Sequence, residues 1–130
     1  MFTLDQIHHA HSKVKSGADF PAYIRELKSI GVHSYTTYVS DGHTDYSGTE
    51  DRKLSTGAKY EALPVSPSSD RDQFIQDLKA HQQGRTDYPQ FCKDCAKAGI
   101  EKWVVDLKEM TCVYYDQAGE KMLKEEIPQV

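Results

Sequence analysis

Gly31-Val32-His33-Ser34-Tyr35-Thr36-Thr37-Tyr38-Val39-Ser40-Asp41-Gly42-His43-Thr44-Asp45-Tyr46-Ser47-Gly48 reads as a β-hairpin. Asp-Gly between two runs rich in Val, Thr and Tyr is a strong hairpin signal, because a two-residue type I′ turn needs positions that tolerate positive φ. With Asp41-Gly42 as that turn, Ser40 faces His43, Val39 faces Thr44, Tyr38 faces Asp45 and Thr37 faces Tyr46. Opposed residues share a face. One face then carries Tyr35, Thr37, Val39, Thr44 and Tyr46 and reads as core. The other carries Thr36, Tyr38, Ser40, His43, Asp45 and Ser47 and is polar.

Outward from the hairpin the chain alternates helical and extended patterns. Thr3-Leu4-Asp5-Gln6 is a capping box, and Leu4, Ile7, His11 and Val14 follow at helical spacing, predicting a helix over about 4–15 that Gly17 stops. Asp19-Phe20-Pro21 opens a second helix, whose stripe of Phe20, Tyr23, Ile24, Leu27 and Ile30 runs to Gly31. After the hairpin, 48–51 reads as a polar turn and 59–65 as a strand closed by Pro64 and Pro67. Ser69-Asp70-Arg71-Asp72 starts a third helix that stops at Gly84, and Asp87-Tyr88-Pro89 a fourth that ends at Gly99. Strands are expected over 100–107 and 110–115, and a last one over about 120–127 after the turn Gln117-Ala118-Gly119.

That order is the first half repeated. An offset of 68 positions lays Asp19-Phe20-Pro21 on Asp87-Tyr88-Pro89, Tyr23 on Phe91, Gly31-Val32 on Gly99-Ile100, Tyr35 on Trp103, Val39 on Leu107 and Tyr46 on Tyr114. The expected fold is α+β: a single domain over 1–130 made of two α-α-β-β-β units, roughly 3–66 and 69–128, with an antiparallel sheet and helices on one side. Carrying the hairpin register across puts Trp103, Val105, Leu107, Cys112 and Tyr114 in the core. Val104, Asp106, Lys108, Thr111, Val113 and Tyr115 lie opposite. This second outer face is more apolar than the first, which predicts self-association as a homodimer around Val104, Val113 and Tyr115.

Bulk properties narrow the function classes. A net charge of −4 with acids and bases interspersed excludes the basic stripe of a nucleic-acid surface. No apolar run is long enough to span a bilayer and the N-terminus lacks a signal-peptide pattern, so neither a membrane nor nucleic acid is expected as partner. Three cysteines fit a reducing compartment, and a cytoplasmic location is the expectation.

Three clusters are candidates for chemistry. Cys92-Lys93-Asp94-Cys95 has C-x-x-C spacing, but it lies inside a helix on positions equivalent to Ile24 and Leu27, so both thiols read as core. His8 and His11 share a helix face beside His9, yet no carboxylate is placed with them and no metal is expected. The outer face of the first hairpin brings Tyr38, Ser40, His43 and Asp45 together, where an acid beside a histidine raises its pKa and orients it. No P-loop, dinucleotide fingerprint, nucleophile elbow or H-E-x-x-H is present, and no cofactor is expected.

The run Asp-Tyr-Pro-Gln-Phe-Cys-Lys-Asp-Cys-Ala-Lys-Ala-Gly-Ile-Glu-Lys-Trp-Val-Val-Asp-Leu (87–107), then Met-Thr-Cys-Val-Tyr-Tyr-Asp (110–116), together with Tyr-Val-Ser-Asp-Gly-His-Thr (38–44), resembles a family of small uncharacterised bacterial proteins often labelled phage envelope proteins. The resemblance covers nearly the whole chain and implies a prophage association. It brings no catalytic residue or cofactor with it, and an acidic chain without a membrane segment does not support an envelope role. Two function classes therefore stand: a non-catalytic binding or assembly module, or a small-molecule-binding protein or enzyme using Tyr38, His43 and Asp45.

Overall fold

Among the described residues six strands form one antiparallel sheet in the order β3-β2-β1-β4-β5-β6. The computed structural model describes residues 2–14, 19–48 and 52–127. Its elements are α1 (Leu4–His11), α2 (Phe20–Ser29), β1 (Val32–Tyr38), β2 (Thr44–Gly48), β3 (Lys53–Ser55), α3 (Arg71–Gln82), α4 (Tyr88–Lys97), β4 (Ile100–Asp106), β5 (Thr111–Asp116) and β6 (Lys121–Glu126). The α-α-β-β-β order thus occurs twice within a single α+β domain. The expected helix stop at Gly17 and the turn residues 49–51 lie outside the described residues.

Local chemistry explains the helix boundaries. Thr3 Oγ1 accepts from the Gln6 N–H at 3.2 Å while Gln6 Oε1 accepts from the Thr3 N–H at 2.9 Å, the reciprocal capping box expected there. Asp70 and Asp87 cap α3 and α4 by accepting from the Gln73 and Gln90 N–H groups at 3.1 and 2.9 Å. Such caps contribute about 1 kcal/mol each. Asp19 precedes α2 without a side-chain cap bond, and Pro21 in the first turn needs no partner for its missing N–H.

Both hairpins bury the face expected. Tyr35, Val39 and Tyr46 of the first, and Trp103, Val105, Leu107, Cys112 and Tyr114 of the second, are buried, as are Thr37 and Thr44. The pairing within the first hairpin, however, differs from expectation by two residues: Thr37 lies opposite Thr44, Thr36 opposite Asp45 and Tyr35 opposite Tyr46. Val39 is the cause. It is fully buried and its N–H binds the Glu101 carbonyl on β4 at 2.8 Å, so it leaves the hairpin ladder for the neighbouring strand. The loop is closed instead by the Tyr38 N–H on the His43 carbonyl at 3.0 Å and the Gly42 N–H on the Tyr38 carbonyl at 2.8 Å, with Gly42 at φ +77°. A slip of two residues keeps every side chain on its face, since the strand period is two.

Two further expectations are corrected. The third strand is 53–55, where Leu54 pairs with Tyr46, and 59–65 is not a strand. Interrupted by Pro64, that segment serves as a tie: the Lys59 and Leu63 N–H groups bind the Asp41 and Ser40 carbonyls at 2.8 and 2.6 Å, and the Tyr60 hydroxyl donates to the Val39 carbonyl at 2.6 Å.

The 68-residue offset holds in the pairing within the two hairpins and shifts by one residue in the outer pairs, where Tyr46 lies opposite Leu54 but Tyr114 lies opposite Leu123 instead of Met122. Tyr35 opposite Tyr46 matches Trp103 opposite Tyr114, and both β1 and β4 carry a bulge near their start, at Val32/Ser34 and Ile100/Lys102. At the centre β1 pairs with β4, Tyr35 facing Val105 and Thr37 facing Trp103, two pairs that the same offset exchanges. This is a correspondence of geometry; descent from one copied unit is a claim about origin.

All four helices cover the aromatic face of the sheet. Tyr23 of α2 packs edge-on against Tyr35, Phe91 of α4 lies 5.7 Å from Trp103, and Phe74 of α3 lies 4.7 Å from Tyr114. On the opposite face Val104 stands between Thr36 and Val113, and Lys102 lies 6.0 and 5.6 Å from the ring centres of Tyr38 and Tyr115.

Candidate functional site

Aromatic side chains crowd the space between helices and sheet without filling it. A cavity of about 110 Å³ lies there, walled by Tyr23 and Phe91, Tyr35 and Trp103, and Tyr46 and Tyr114. Each pair is related by the 68-residue offset, so the cavity sits where the two halves meet. Phe20 and Tyr88, the first residues of α2 and α4, extend the same wall.

The lining is more polar than an ordinary core. The chain has eight tyrosines against four phenylalanines, and a buried tyrosine brings a hydroxyl that needs a partner. Some have one: the Tyr23 and Tyr46 hydroxyls lie 3.3 Å apart, and the Thr37 and Thr44 hydroxyls 3.1 Å apart. Others do not. Among the described residues the Tyr35 hydroxyl and the Trp103 indole N–H bind no other group, although both residues are only 5 % exposed. Neither atom is fully enclosed: among the described residues the fully buried side-chain atom without a hydrogen-bond partner is Arg52 Nε, so these two groups keep contact with open space.

Burial also sets the protonation states. Desolvation raises the pKa of Tyr23, Tyr35, Tyr46, Tyr88 and Tyr114, so the wall stays neutral and offers O–H groups, never phenolates, near pH 7. His81 stacks on Phe91 with centroids 4.4 Å apart, and its Nδ1 donates to the Thr86 carbonyl at 3.1 Å, which leaves Nε2 as an acceptor. His11 meets Tyr23 and Tyr88 edge-on at 5.5 and 5.4 Å. Lys59 stands at the cavity mouth, exposed as a residue, with its pKa lowered chiefly by desolvation.

A pH dependence follows from the two histidines. Desolvation lowers the pKa of both below 6.5; the nearby positive charges of Lys59 and His8 add to this for His11, while the bond to Thr86 opposes it for His81. The unfolded chain therefore takes up protons first as pH falls, and the stability these neutral rings contribute is complete above 6.5 and lost as pH drops through their folded values. The melting temperature is expected to fall between pH 7.5 and pH 5, and to fall less in His81→Gln; a flat profile over that range contradicts the assignment.

The hairpin residues singled out by sequence lie elsewhere, and none of Tyr38, Ser40, His43 and Asp45 lines this cavity. Tyr38 and His43 do come together, their rings stacked 4.4 Å apart at 9°. The acid beside His43 is Asp41, which accepts from its Nδ1 at 2.5 Å and its backbone N–H at 3.0 Å. Those bonds, the backbone one first, hold the Asp41 carboxyl below its ordinary pKa. Asp45 instead accepts from the Ser55 hydroxyl at 2.8 Å, and the Ser40 carbonyl from Leu63. An Asp accepting from the N–H two residues on is the ordinary Asx turn, so Asp41-Gly42-His43 held the signal for this pairing.

The thiols are core residues. Cys92, Cys95 and Cys112 are free and buried, and desolvation raises their pKa values, that of Cys112 to about 12. Thiols held protonated in this way are poor nucleophiles. Among the described residues no three His, Cys, Asp or Glu side chains converge as metal ligands, and no helix is long and apolar enough to cross a membrane.

Comparison with known proteins agrees with the sequence resemblance at its coarser level. An uncharacterised protein of Mycobacterium bovis, Mb2035, and one of Mycobacterium tuberculosis, Rv2012, are each 29 % identical to this chain over 100 residues. The match covers 74 % of the chain and 59 % of either relative, so the chain spans little more than half the length of the curated proteins it resembles. Residues 8–126 match the family described as a protein of unknown function (DUF1398), and the chain belongs to that family.

Proposed function

We propose that the protein is a small-molecule-binding module whose ligand occupies the aromatic cavity between its two halves. The observation that carries this reading is the pair of unpartnered polar groups, the Tyr35 hydroxyl and the Trp103 N–H, in the wall of an unfilled space. The tyrosines and thiols around the cavity are held protonated, which favours binding over nucleophilic attack by these groups. Three free cysteines support a reducing, cytoplasmic setting. The prophage association is supported by the resemblance alone.

Trp103 is the only tryptophan, so its fluorescence reports on the cavity directly. Titration with benzyl alcohol is expected to change that fluorescence saturably. Val14→Phe, which enlarges a half-buried side chain of the lining, is expected to abolish the response while the melting temperature changes little. A linear response in the parent protein, or saturation that persists in Val14→Phe, contradicts the reading.

A second reading, self-association through the outer face, is favoured by one arrangement. Val104 and Val113 face each other across β4 and β5 on the side opposite the helices, with the ring of Tyr115 nearby. Sedimentation equilibrium is expected to show a dimer that Val104→Lys converts to monomer, and a monomer at high concentration for the parent chain removes this reading.

A further inference from the structure

The charged groups that line the cavity belong to different parts of the fold, Lys59 on one side and Glu125 and Glu126 on the other, and that division specifies a ligand class. Trp103 Nε1 can only donate, the Tyr35 hydroxyl lacks an acceptor, and the Lys59 ammonium at the mouth carries up to three donors with no carboxylate partner among the described residues. The acids that line the cavity, Glu125 and Glu126, belong to β6 at the far edge of the sheet, and Glu125 accepts from Gln82 Nε2 at 3.2 Å. Lys59 is tied to the opposite side, its N–H on the Asp41 carbonyl in the β1–β2 loop. The site therefore offers the Lys59 charge on one side, the Glu125 and Glu126 carboxylates on the other, and aromatic rings in between.

Size and shape limit the remainder. A cavity of roughly 150 Å³ lined by apolar side chains admits benzene, and about 110 Å³ that opens at a mouth holds one ring with its substituent outside. The walls formed by Tyr23, Tyr35, Phe91 and Trp103 give that ring edge-to-face and offset partners.

Resting on the cavity as the binding site, we infer that the ligand is a one-ring aromatic acid, its ring between the α2–β1 and α4–β4 aromatics and its carboxylate on Lys59. The Trp103 N–H and the Tyr35 hydroxyl then reach acceptor atoms on or beside the ring.

Benzoate and its neutral analogue benzyl alcohol separate the parts of this account when titrated calorimetrically into the parent chain, Lys59→Met and Lys59→Arg. The expected result is that benzoate binds the parent about tenfold more tightly than benzyl alcohol, that Lys59→Met brings the two affinities together, and that Lys59→Arg keeps the preference. Equal affinities in the parent, or a preference that survives Lys59→Met, overturn the acid as ligand and leave the cavity as a binding site. Failure of both compounds to bind the parent overturns the binding site itself.

Discussion

Truncating Phe74 to alanine is expected to destabilise the protein by about 3–5 kcal/mol. Phe74 is fully buried on the inner face of α3, 6.5 Å from the Phe91 ring and 4.7 Å from that of Tyr114, so it joins the α3–α4 pair to the second hairpin. Removing the ring forfeits its transfer from water and leaves a void between two aromatic neighbours whose own positions are fixed by backbone. For a chain of this length such a loss lowers the melting temperature by roughly 10–20 °C. Since domains are commonly stable by only about 5–15 kcal/mol, the variant sits near the limit of folding. Chemical denaturation of parent and variant measures the difference; a loss below about 1 kcal/mol contradicts the packing described.

The second large effect concerns backbone rather than side chain. Gly99 ends α4 at φ +85°, and a Cβ there would lie 2.8 Å from both the Ser68 carbonyl oxygen and Ser69 Cα. The neighbours cannot yield, because the segment before α3 is fastened to the end of α4 by the Ser66 N–H on the Ala96 carbonyl and the Asp70 N–H on the Ala98 carbonyl, each at 2.9 Å. Gly99→Ala therefore adds a clash with main chain to the roughly 1–2 kcal/mol that an L-residue incurs in the left-handed region. Gly119 is the control: its φ is +81° but a Cβ there meets nothing within 4 Å. Gly119→Ala is expected to lose about 1–2 kcal/mol and Gly99→Ala about 2–5 kcal/mol, as read from unfolding midpoints. Equal losses contradict the close approach of the two segments.

How legible these features were depends on how local their causes are. Alternation in 35–46 and 103–114 identified both buried faces because face is a property of period, and the period survived a register error of two residues. The register itself was not local: it turned on Val39 leaving β2 for Glu101 of β4, a partner more than sixty residues away. Capping at Thr3, Asp70 and Asp87 was readable because donor and acceptor lie three residues apart. By contrast β3 is three residues long and takes its identity from Leu54 meeting Tyr46, while 59–65 has strand-like composition but spends its hydrogen bonds on a loop.

The candidate site was legible in its parts and not in its meaning. Alternation places Tyr35, Tyr46, Trp103 and Tyr114 in the core, where they are found. That their rings leave a space is a property of four helices and a sheet packed together, which no spacing in the chain encodes. The excess of tyrosine over phenylalanine on an apolar face was the available signal, since each hydroxyl in a core must find a partner. The offset of 68 pairs the cavity walls from the sequence alone, Phe20 with Tyr88, Tyr23 with Phe91 and Tyr35 with Trp103.

Because the chain contains a single tryptophan, its amide correlation spectrum carries one indole N–H resonance, and that group stands in the cavity wall. Titrating the isotope-labelled protein with benzoate is the most direct test of a ligand site between the halves. The account predicts a saturable shift of the Trp103 indole signal, accompanied by the backbone amides of Tyr23, Tyr35 and Phe91, while those of Tyr38 and His43 stay in place. A stationary indole signal, or shifts confined to the Tyr38–His43 loop, contradicts it.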